Sequence, residues 1–264
     1  MTAMLRAGWG TLLMLLGATL FLIISFFWAF IALALLLVLP ARMGRKAGRQ
    51  GAMWCFRLFL GIMEALGAWE LDLGELDALR DAGALVIAPN HPSLLDAVLV
   101  VSRVPDAVCV MKRSLLDNFL LGPAARLARY VGNDSLLRLV TSAESELRAG
   151  GQLLLFPEAT RSTAHPTGPF TEAVGAVARR AQVPVQTVII EADSRFLGKG
   201  SSLRERPRFP LHYRARLGRR FDAPTEVRAF TTELERYFAR ELASTSPSDA
   251  AGVAPAVSAR HLRG

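Results

Sequence analysis

A histidine and an aspartate five residues apart carry potential acid–base chemistry in the segment Asn90-His91-Pro92-Ser93-Leu94-Leu95-Asp96. The segment directly follows Ala84–Pro89, a short apolar run typical of a strand buried on both faces. Ligand sites in open α/β sheets collect at the carboxyl ends of strands. A carboxylate that holds one imidazole nitrogen fixes the tautomer and raises the basicity of the other nitrogen. The spacing therefore predicts that His91, oriented by Asp96, accepts a proton from a hydroxyl group.

Pro92 determines whether the two side chains can meet. Five residues along a regular helix turn through about 500°, so side chains at both positions would point about 140° apart if both were helical. Proline suits the first turn of a helix. We therefore predict a helix that begins at Pro92, with His91 as the cap residue in the preceding loop, where its ring can reach Asp96. The alternative is that His91 only caps the helix and Asp96 makes a surface contact.

A second polar segment, Phe156-Pro157-Glu158-Ala159-Thr160-Arg161-Ser162, follows another predicted buried strand, Gln152–Leu155. Glu158, Thr160, Arg161 and Ser162 offer a carboxylate, two hydroxyl groups and a cation that can bind an anion through two hydrogen bonds. We expect them to bind a polar or anionic substrate. The alternative is an ordinary strand-to-loop turn with a surface ion pair.

The two segments, in this order and about 65 residues apart, resemble the first motif (NHxxxxD) and the third motif (FPEGTRS-like) of the glycerophosphate and lysophospholipid acyltransferase family. Val183–Val188 is similar to its fourth motif, and the resemblance covers about Ala84–Ile190. It implies direct transfer of an acyl group from a thioester to a hydroxyl group, with His91 as general base.

The resemblance also assigns roles to other residues. Glu158 and Arg161 would position the acceptor head, with Thr160 and Ser162 beside them. Asn90 and Ser93 lie within the first motif and are expected to contact the substrate. The donor would be acyl-coenzyme A or acyl-acyl carrier protein as co-substrate, with no other cofactor and no metal.

Two positions depart from the family pattern. Ala159 stands where the family usually has glycine, which tolerates a positive φ at low cost. The second motif of the phosphatidate-forming enzymes ends with an arginine that holds the acceptor phosphate, and here Asn133 and Asp134 lie at about that place. The remaining cations for a phosphate are Arg126 or Arg129, and Lys112 with Arg113.

A different acceptor is therefore an alternative. The phrases Asn90–Asp96, Gly132-Asn133-Asp134 and Leu197-Gly198-Lys199-Gly200 are also similar to the acyltransferases of bacterial aryl-polyene pigment clusters. The acceptor would then be another lipid or a polyene in a specialised pathway. A second alternative is a non-catalytic relative that only binds lipid.

Alternating strand and helix patterns predict an α/β fold, with a mostly parallel sheet flanked by helices and an N-terminal membrane-anchoring helical segment. We assign membrane-anchoring helices to residues 1–67, the α/β acyltransferase domain to 68–243 and a disordered tail to 244–264. The predicted strands are Ala84–Pro89, Ala107–Met111, Gln152–Phe156, Val183–Ile190 and Leu211–Leu217. The predicted helices are Leu94–Ser102, Ser135–Arg148, Glu172–Ala181 and one that starts near Thr225.

The anchor is an uncharged apolar stretch between Arg6 and Arg42, longer than the roughly 20 residues that cross a bilayer. A single helix is favoured over a re-entrant hairpin broken near Gly17 or Ser25, because no proline interrupts it before Pro40. The stretch is too long for the core of a signal peptide. The basic residues just after it, Arg42, Arg45, Lys46 and Arg49, place that end in the cytoplasm, so we expect a bacterial-type inner membrane with the catalytic domain on the cytoplasmic face.

Composition narrows the possible partners. The formal charge is +8 and the hydrophobic fraction is 52%, yet no nucleic-acid-binding motif accompanies the basic character. Attraction to anionic lipid headgroups is the simpler account, so we expect membrane lipids and no nucleic acid. Gln50–Ala65 is strongly apolar and predicts a second helix against the membrane or the core. Cys55 and Cys109 have no metal-like spacing and are expected to be small buried hydrophobes.

Overall fold

The computed structural model describes residues 2–160, 168–194, 198 and 209–244, and within them seven strands form one sheet. The strand order is β1-β7-β6-β2-β5-β3-β4, and every pairing is parallel except the antiparallel pair β6–β7. The strands are β1 (Trp69–Asp72), β2 (Leu85–Pro89), β3 (Ala107–Met111), β4 (Val131–Gly132), β5 (Gln152–Leu154), β6 (Val185–Ala192) and β7 (Leu211–Phe221). The predicted fold class is confirmed.

Eight helices accompany the sheet in the described residues. They are α1 (Thr2–Val38), α2 (Ala41–Ala65), α3 (Asp96–Val101), α4 (Arg113–Leu116), α5 (Gly122–Leu127), α6 (Leu136–Arg148), α7 (Ala173–Ala181) and α8 (Val227–Ser244), with a 3₁₀ helix at Gly74–Leu79. Leu85 and Ile87 of β2 join a core with α1, α2 and α3, whereas Val86 and Ala88 join one with α6, α7 and α8. Because successive strand residues point to opposite faces, each helix group covers one face of the sheet.

The long apolar stretch forms one unbroken helix, α1. The predicted single helix is therefore observed, and no break occurs at Gly17 or Ser25. Gly8–Val38 is long and apolar enough to cross a membrane, and most of that stretch is exposed on the protein surface. This helix is a possible membrane anchor.

The basic cluster that follows α1 lies inside α2, which starts at Ala41 rather than near Gln50. Arg49 is buried, where its guanidinium donates to the Ala128 carbonyl and pairs with Glu146 of α6. Gly48 makes the close approach possible, because a Cβ there would lie 2.5 Å from the Ala128 backbone nitrogen. Arg49, one of the four basic residues that follow the apolar stretch, thus connects α2 to α6 and to the residue that follows α5.

Several short elements were not predicted, because two to six residues carry too little periodicity to recognise. They include β1, β4, α4 and α5. The predicted boundaries at 67/68 and 243/244 stay predictions. Residues 245–264, most of the predicted tail, lie outside the described residues, as do Leu197, Lys199 and Gly200.

Candidate active site

The first chemical segment brings His91 and Asp96 into contact at the carboxyl end of β2. The distance between His91 Nδ1 and Asp96 Oδ2 is 2.8 Å. The Asp96 side chain is fully buried, whereas the His91 side chain keeps 17% of its surface exposed. His91 lines a cavity, and its Nε2 has no hydrogen-bond partner among the described residues. One ring nitrogen is therefore held and the other remains available.

The hydrogen bonds that order the turn before α3 involve Ser93 and not Pro92. The Ser93 hydroxyl accepts a hydrogen bond from the Leu95 amide, and the Ser93 amide donates to Asp96 Oδ2 at 2.7 Å. These two hydrogen bonds order the turn that precedes α3. The prediction of a helix start at Pro92 with His91 as its cap was wrong, because the regular helix begins at Asp96 with Leu95 at the cap position. Both arrangements leave His91 in the loop, so the predicted contact with Asp96 survives.

Asp96 lies in an unfavourable place for a charge. Burial raises its pKa, and the hydrogen bond from His91 and the amide of Ser93 partly oppose that shift. Oδ2 accepts from the Ser93 amide and lies within hydrogen-bond distance of His91 Nδ1. Oδ1 is buried and has no hydrogen-bond partner in the described part of the chain. The carboxylate is thereby dedicated to holding His91 Nδ1.

Phe156 fixes the plane of the imidazole. The two rings stack with their centroids 3.9 Å apart and an interplanar angle of 21°. Phe156 comes from the end of β5, which pairs with β2, so the sheet brings the two chemical segments together. Sequence reasoning did not assign Phe156 to the site. Its position at the head of the second segment was the available signal.

Asn90 binds the backbone and not the cavity. Its side-chain amide donates to the Ile190 carbonyl at 2.8 Å, and its oxygen accepts from the Ile190 amide at 2.7 Å. Asn90 and Ser93 are both buried and are absent from the cavity lining. The geometry gives them positioning roles: Asn90 joins the segment to β6, and Ser93 holds Asp96. Their predicted contact with substrate stays a prediction.

The second segment forms a tight turn beside the first. The Ala159 amide donates to the Phe156 carbonyl, and Ala159 has φ +52°, a left-handed conformation. Such a conformation costs an L residue roughly 1–2 kcal/mol, which explains why glycine suits this position better. Glu158 is buried and accepts from the Gly168 amide at 2.8 Å, so it joins this turn to Gly168. Thr160 lines the cavity, whereas Arg161 and Ser162 lie outside the described residues.

The cavity at His91 has a volume of about 800 Å³ and mostly apolar walls, including Leu94, Val110, Met111, Leu136 and Leu155. Polar side chains on its lining are Lys112, Ser114, Asn133, Thr160, Thr171 and Glu172. Arg126 is absent from the lining and donates to the Leu116 carbonyl at 3.0 Å. Asp134 pairs with Arg138. Of the predicted cations in the described residues, Lys112 reaches the cavity and Arg126 does not.

The described residues contain no group of three or more metal-ligating side chains. The thiol of Cys109 lies on the cavity wall, and burial raises its pKa to about 12. A thiol with that pKa is a poor nucleophile at neutral pH. His91, and not Cys109, is therefore the candidate reactive group of this site.

Fold and site together show an α/β protein with a histidine–aspartate pair at the wall of a largely apolar cavity. The sequence model of the family described as Acyltransferase matches residues 71–191, which contain both chemical segments. The match covers somewhat less than half of the chain, and this acyltransferase domain indicates an acyltransferase enzyme.

A solved structure has the same fold. The crystal structure of the 1-acyl-sn-glycerophosphate (LPA) acyltransferase PlsC from Thermotoga maritima superposes with a TM-score of 0.67. The two chains are 17% identical, and the match covers 91% of this chain and 96% of PlsC. No curated protein sequence matches this chain.

Proposed function

We propose that this enzyme transfers a fatty acyl group from an acyl thioester to the hydroxyl group of a lysophospholipid such as 1-acylglycerol-3-phosphate. The observation that carries the proposal is the buried Asp96 bound to His91 Nδ1 at the wall of an apolar cavity. The PlsC enzyme with the same fold is described as acting on that acceptor.

Catalysis would proceed without a covalent enzyme intermediate. His91 Nε2 takes the proton of the acceptor hydroxyl as its oxygen attacks the thioester carbonyl. The tetrahedral intermediate then collapses, the carbon–sulfur bond breaks, and the leaving thiolate takes the proton from the imidazolium. Asp96 stabilises the imidazolium throughout, and general-base catalysis of this kind contributes about 10²–10⁴-fold.

The cavity suits two apolar chains and a polar head. Its apolar walls favour the acyl chains, because burying each methylene group contributes about 0.8 kcal/mol. Lys112, Asn133 and Thr160 are the polar groups on the lining that would meet the acceptor head. Glu158 and Arg161 would act on the same head, as the family resemblance implies. The donor is acyl-coenzyme A or acyl-acyl carrier protein, with no further cofactor.

We place the enzyme on the cytoplasmic face of a bacterial-type inner membrane, attached through α1 to membrane lipids. The support is the apolar surface of α1 and the exposed cations Arg42 and Lys46 at the start of α2, since positive charge next to an apolar helix favours the cytoplasmic side. Arg49 does not add to this charge, because it is buried against Glu146.

A second candidate acceptor is a lipid or polyene without a phosphate group. It is favoured by Asn133 on the cavity lining, next to the carboxylate of Asp134, where the phosphate-binding arginine is expected. The negative charge of an aspartate repels a phosphate and weakens its binding. The same aspartate does not repel a neutral head that carries a hydroxyl group.

The test is thiol release by the full-length enzyme in detergent, with acyl-coenzyme A and acyl-acyl carrier protein as donors. The acceptors are 1-acylglycerol-3-phosphate, a lysophospholipid with a larger head, a monoacylglycerol and a polyene alcohol. We expect turnover with the phosphate-bearing acceptor and its loss in His91→Gln. Turnover with the neutral acceptors alone would select the second candidate. Equal thiol release by wild type and His91→Gln with every acceptor would overturn the catalytic proposal.

A further inference from the structure

Large apolar side chains are exposed in two places in the described residues. Most lie on α1 and α2, from Trp9 to Leu58. The others lie between residues 94 and 137. The described residues beyond Leu137 expose no large apolar side chain. Exposed apolar side chains concentrated in these two segments are unusual for a surface that meets only water.

The second group includes side chains of the catalytic cavity and their neighbours in sequence. We call it the cavity rim, and its five members are Leu94, Leu115, Phe119, Leu136 and Leu137. Leu94, Leu115 and Leu136 line the cavity itself. Phe119 and Leu137 do not, and they are the most exposed of the five, at 82% and 77%. Nothing in the catalytic chemistry requires those two side chains.

The cavity rim continues the apolar surface of α1. A small second cavity lies between α1 and the segment that follows Phe119. Its lining combines Phe21, Ile24 and Trp28 of α1 with Leu120 and Leu121. The turn that carries Phe119 is therefore packed beside the helix that is the candidate membrane anchor.

The charges beside the rim are those that a lipid surface attracts. Lys112 and Arg129 are exposed, and neither has a carboxylate partner among the described residues. Arg113 and Arg138 are also exposed, paired with Asp117 and Asp134. Cations at a membrane surface favour anionic headgroups by about 1 kcal/mol each near the surface. Exposed aromatic and leucine side chains flanked by cations are typical of interfacial membrane contact.

We propose that the cavity rim inserts into the lipid surface as a second contact beside α1, with Phe119 and Leu137 as its inserting side chains. The catalytic cavity then opens towards the lipid, and the acceptor enters from the membrane without crossing water. This last step rests on the proposed function, whereas insertion of the rim does not.

A depth measurement tests insertion directly. Phe119→Cys and Leu137→Cys are each labelled with an environment-sensitive fluorophore in the full-length chain, reconstituted in vesicles with anionic lipid. Burial raises the pKa of Cys55 and of Cys109, so the introduced thiol reacts first. Thr232→Cys, exposed on α8, which carries no exposed large apolar side chain, is the matched control. We expect quenching by lipid-attached quenchers at 119 and 137, and by aqueous iodide at 232.

A kinetic measurement tests the consequence. In Phe119→Ser combined with Leu137→Ser, the apparent KM for an acceptor presented in vesicles should rise about tenfold. The kcat and KM for a short-chain acceptor dissolved in water should stay unchanged, since neither residue lines the cavity.

The outcomes separate this proposal from the proposed function. Iodide quenching at 119 and 137 in vesicles would overturn insertion, even if acyl transfer still depends on His91. Lipid quenching in a protein without acyltransferase activity would leave insertion standing and overturn the function. A label that responds to acyl carrier protein and not to vesicles would assign the rim to a protein partner and overturn the proposal.

Discussion

Within the residues that the structure describes, two histidine–aspartate pairs have nearly the same geometry and different surroundings. His91 Nδ1 lies 2.8 Å from Asp96, and His212 Nδ1 lies 2.7 Å from Asp193. His212 is on the exposed part of β7, and its Nε2 meets a second carboxylate, Glu70, at 3.3 Å. His91 has one carboxylate, a stacked ring and a cavity.

The comparison shows that contact with a carboxylate does not make a base. Both nitrogens of His212 face anions, which raise its pKa and favour the charged ring, chiefly through the hydrogen bond to Asp193. A ring whose two nitrogens both donate has no lone pair for a substrate proton. His91 keeps Nε2 unengaged by the described residues, because a single buried carboxylate holds the other side. The number and the burial of the carboxylate partners determine whether a histidine keeps a nitrogen available for a substrate proton.

The largest expected effect is at the two histidines themselves. His91→Gln should lower kcat by at least about 10²–10⁴-fold, because the general base is lost. His212→Gln should leave kcat within about twofold, since its ring lies outside the cavity lining. Thiol release by both purified variants checks this. A comparable loss in both variants would mean that the pairs are not functionally distinct.

The partner carboxylates sharpen the contrast. Asp96→Asn should lower kcat by about 10²–10⁴-fold, because the amide no longer stabilises the imidazolium. Asp193→Asn should have no effect on kcat.

The charge of Asp96 should support catalysis but lower the free energy of unfolding, because the carboxylate is buried. Burial raises its folded-state pKa, so its favourable contribution is complete below the unfolded pKa of about 3.9 and is lost as pH rises through the folded value. The free energy of unfolding of wild type relative to Asp96→Asn should therefore be lower at pH 8 than at about pH 4. Denaturant unfolding at the two pH values measures it, and a gap that widens in favour of wild type as pH rises would contradict the assignment.

The Phe156 ring stacked on His91 is a further difference between the two histidines, because His212 has no stacked ring among the described ring contacts. Its removal should have a smaller effect. Phe156→Leu should lower kcat by about tenfold with little change in acceptor KM, since an imidazole that is free to tilt spends less time aligned. A change confined to KM would mean that Phe156 contacts the substrate instead of holding His91.

The smallest expected effect is the pH dependence of stability at His212. Its raised pKa stabilises the fold fully below the unfolded pKa of about 6.5, and this contribution disappears as pH rises through the folded value. The pair is exposed, so it contributes at most a few tenths of a kcal/mol. His212→Gln should lower Tm slightly at pH 5.5 and not at pH 9. An equal loss at both would point to packing instead of charge.

The sequence predicted much of this site for identifiable reasons. The apolar run before Asn90 gave β2, and a loop position for His91 made contact with Asp96 possible. The position of the helix start was wrong, since proline signals a first turn, whereas the hydrogen bonds of Ser93 order a turn there before the regular helix begins at Asp96. Arg126 was placed near the substrate by its position in the chain, and the fold directs it to the Leu116 carbonyl.

Local sequence alone determined the α/β class and the apolar N-terminal helix and predicted His91 as the base, because strand, helix and motif signals act within a few residues. Tertiary structure alone decided the rest. Parallel pairing of β2 with β5 places Phe156 on His91. The packing of α2 on α6 buries Arg49, one of the cations expected at the lipid. Two histidine–aspartate contacts differ in role because burial and the second partner depend on segments far apart in the chain, which no local pattern encodes.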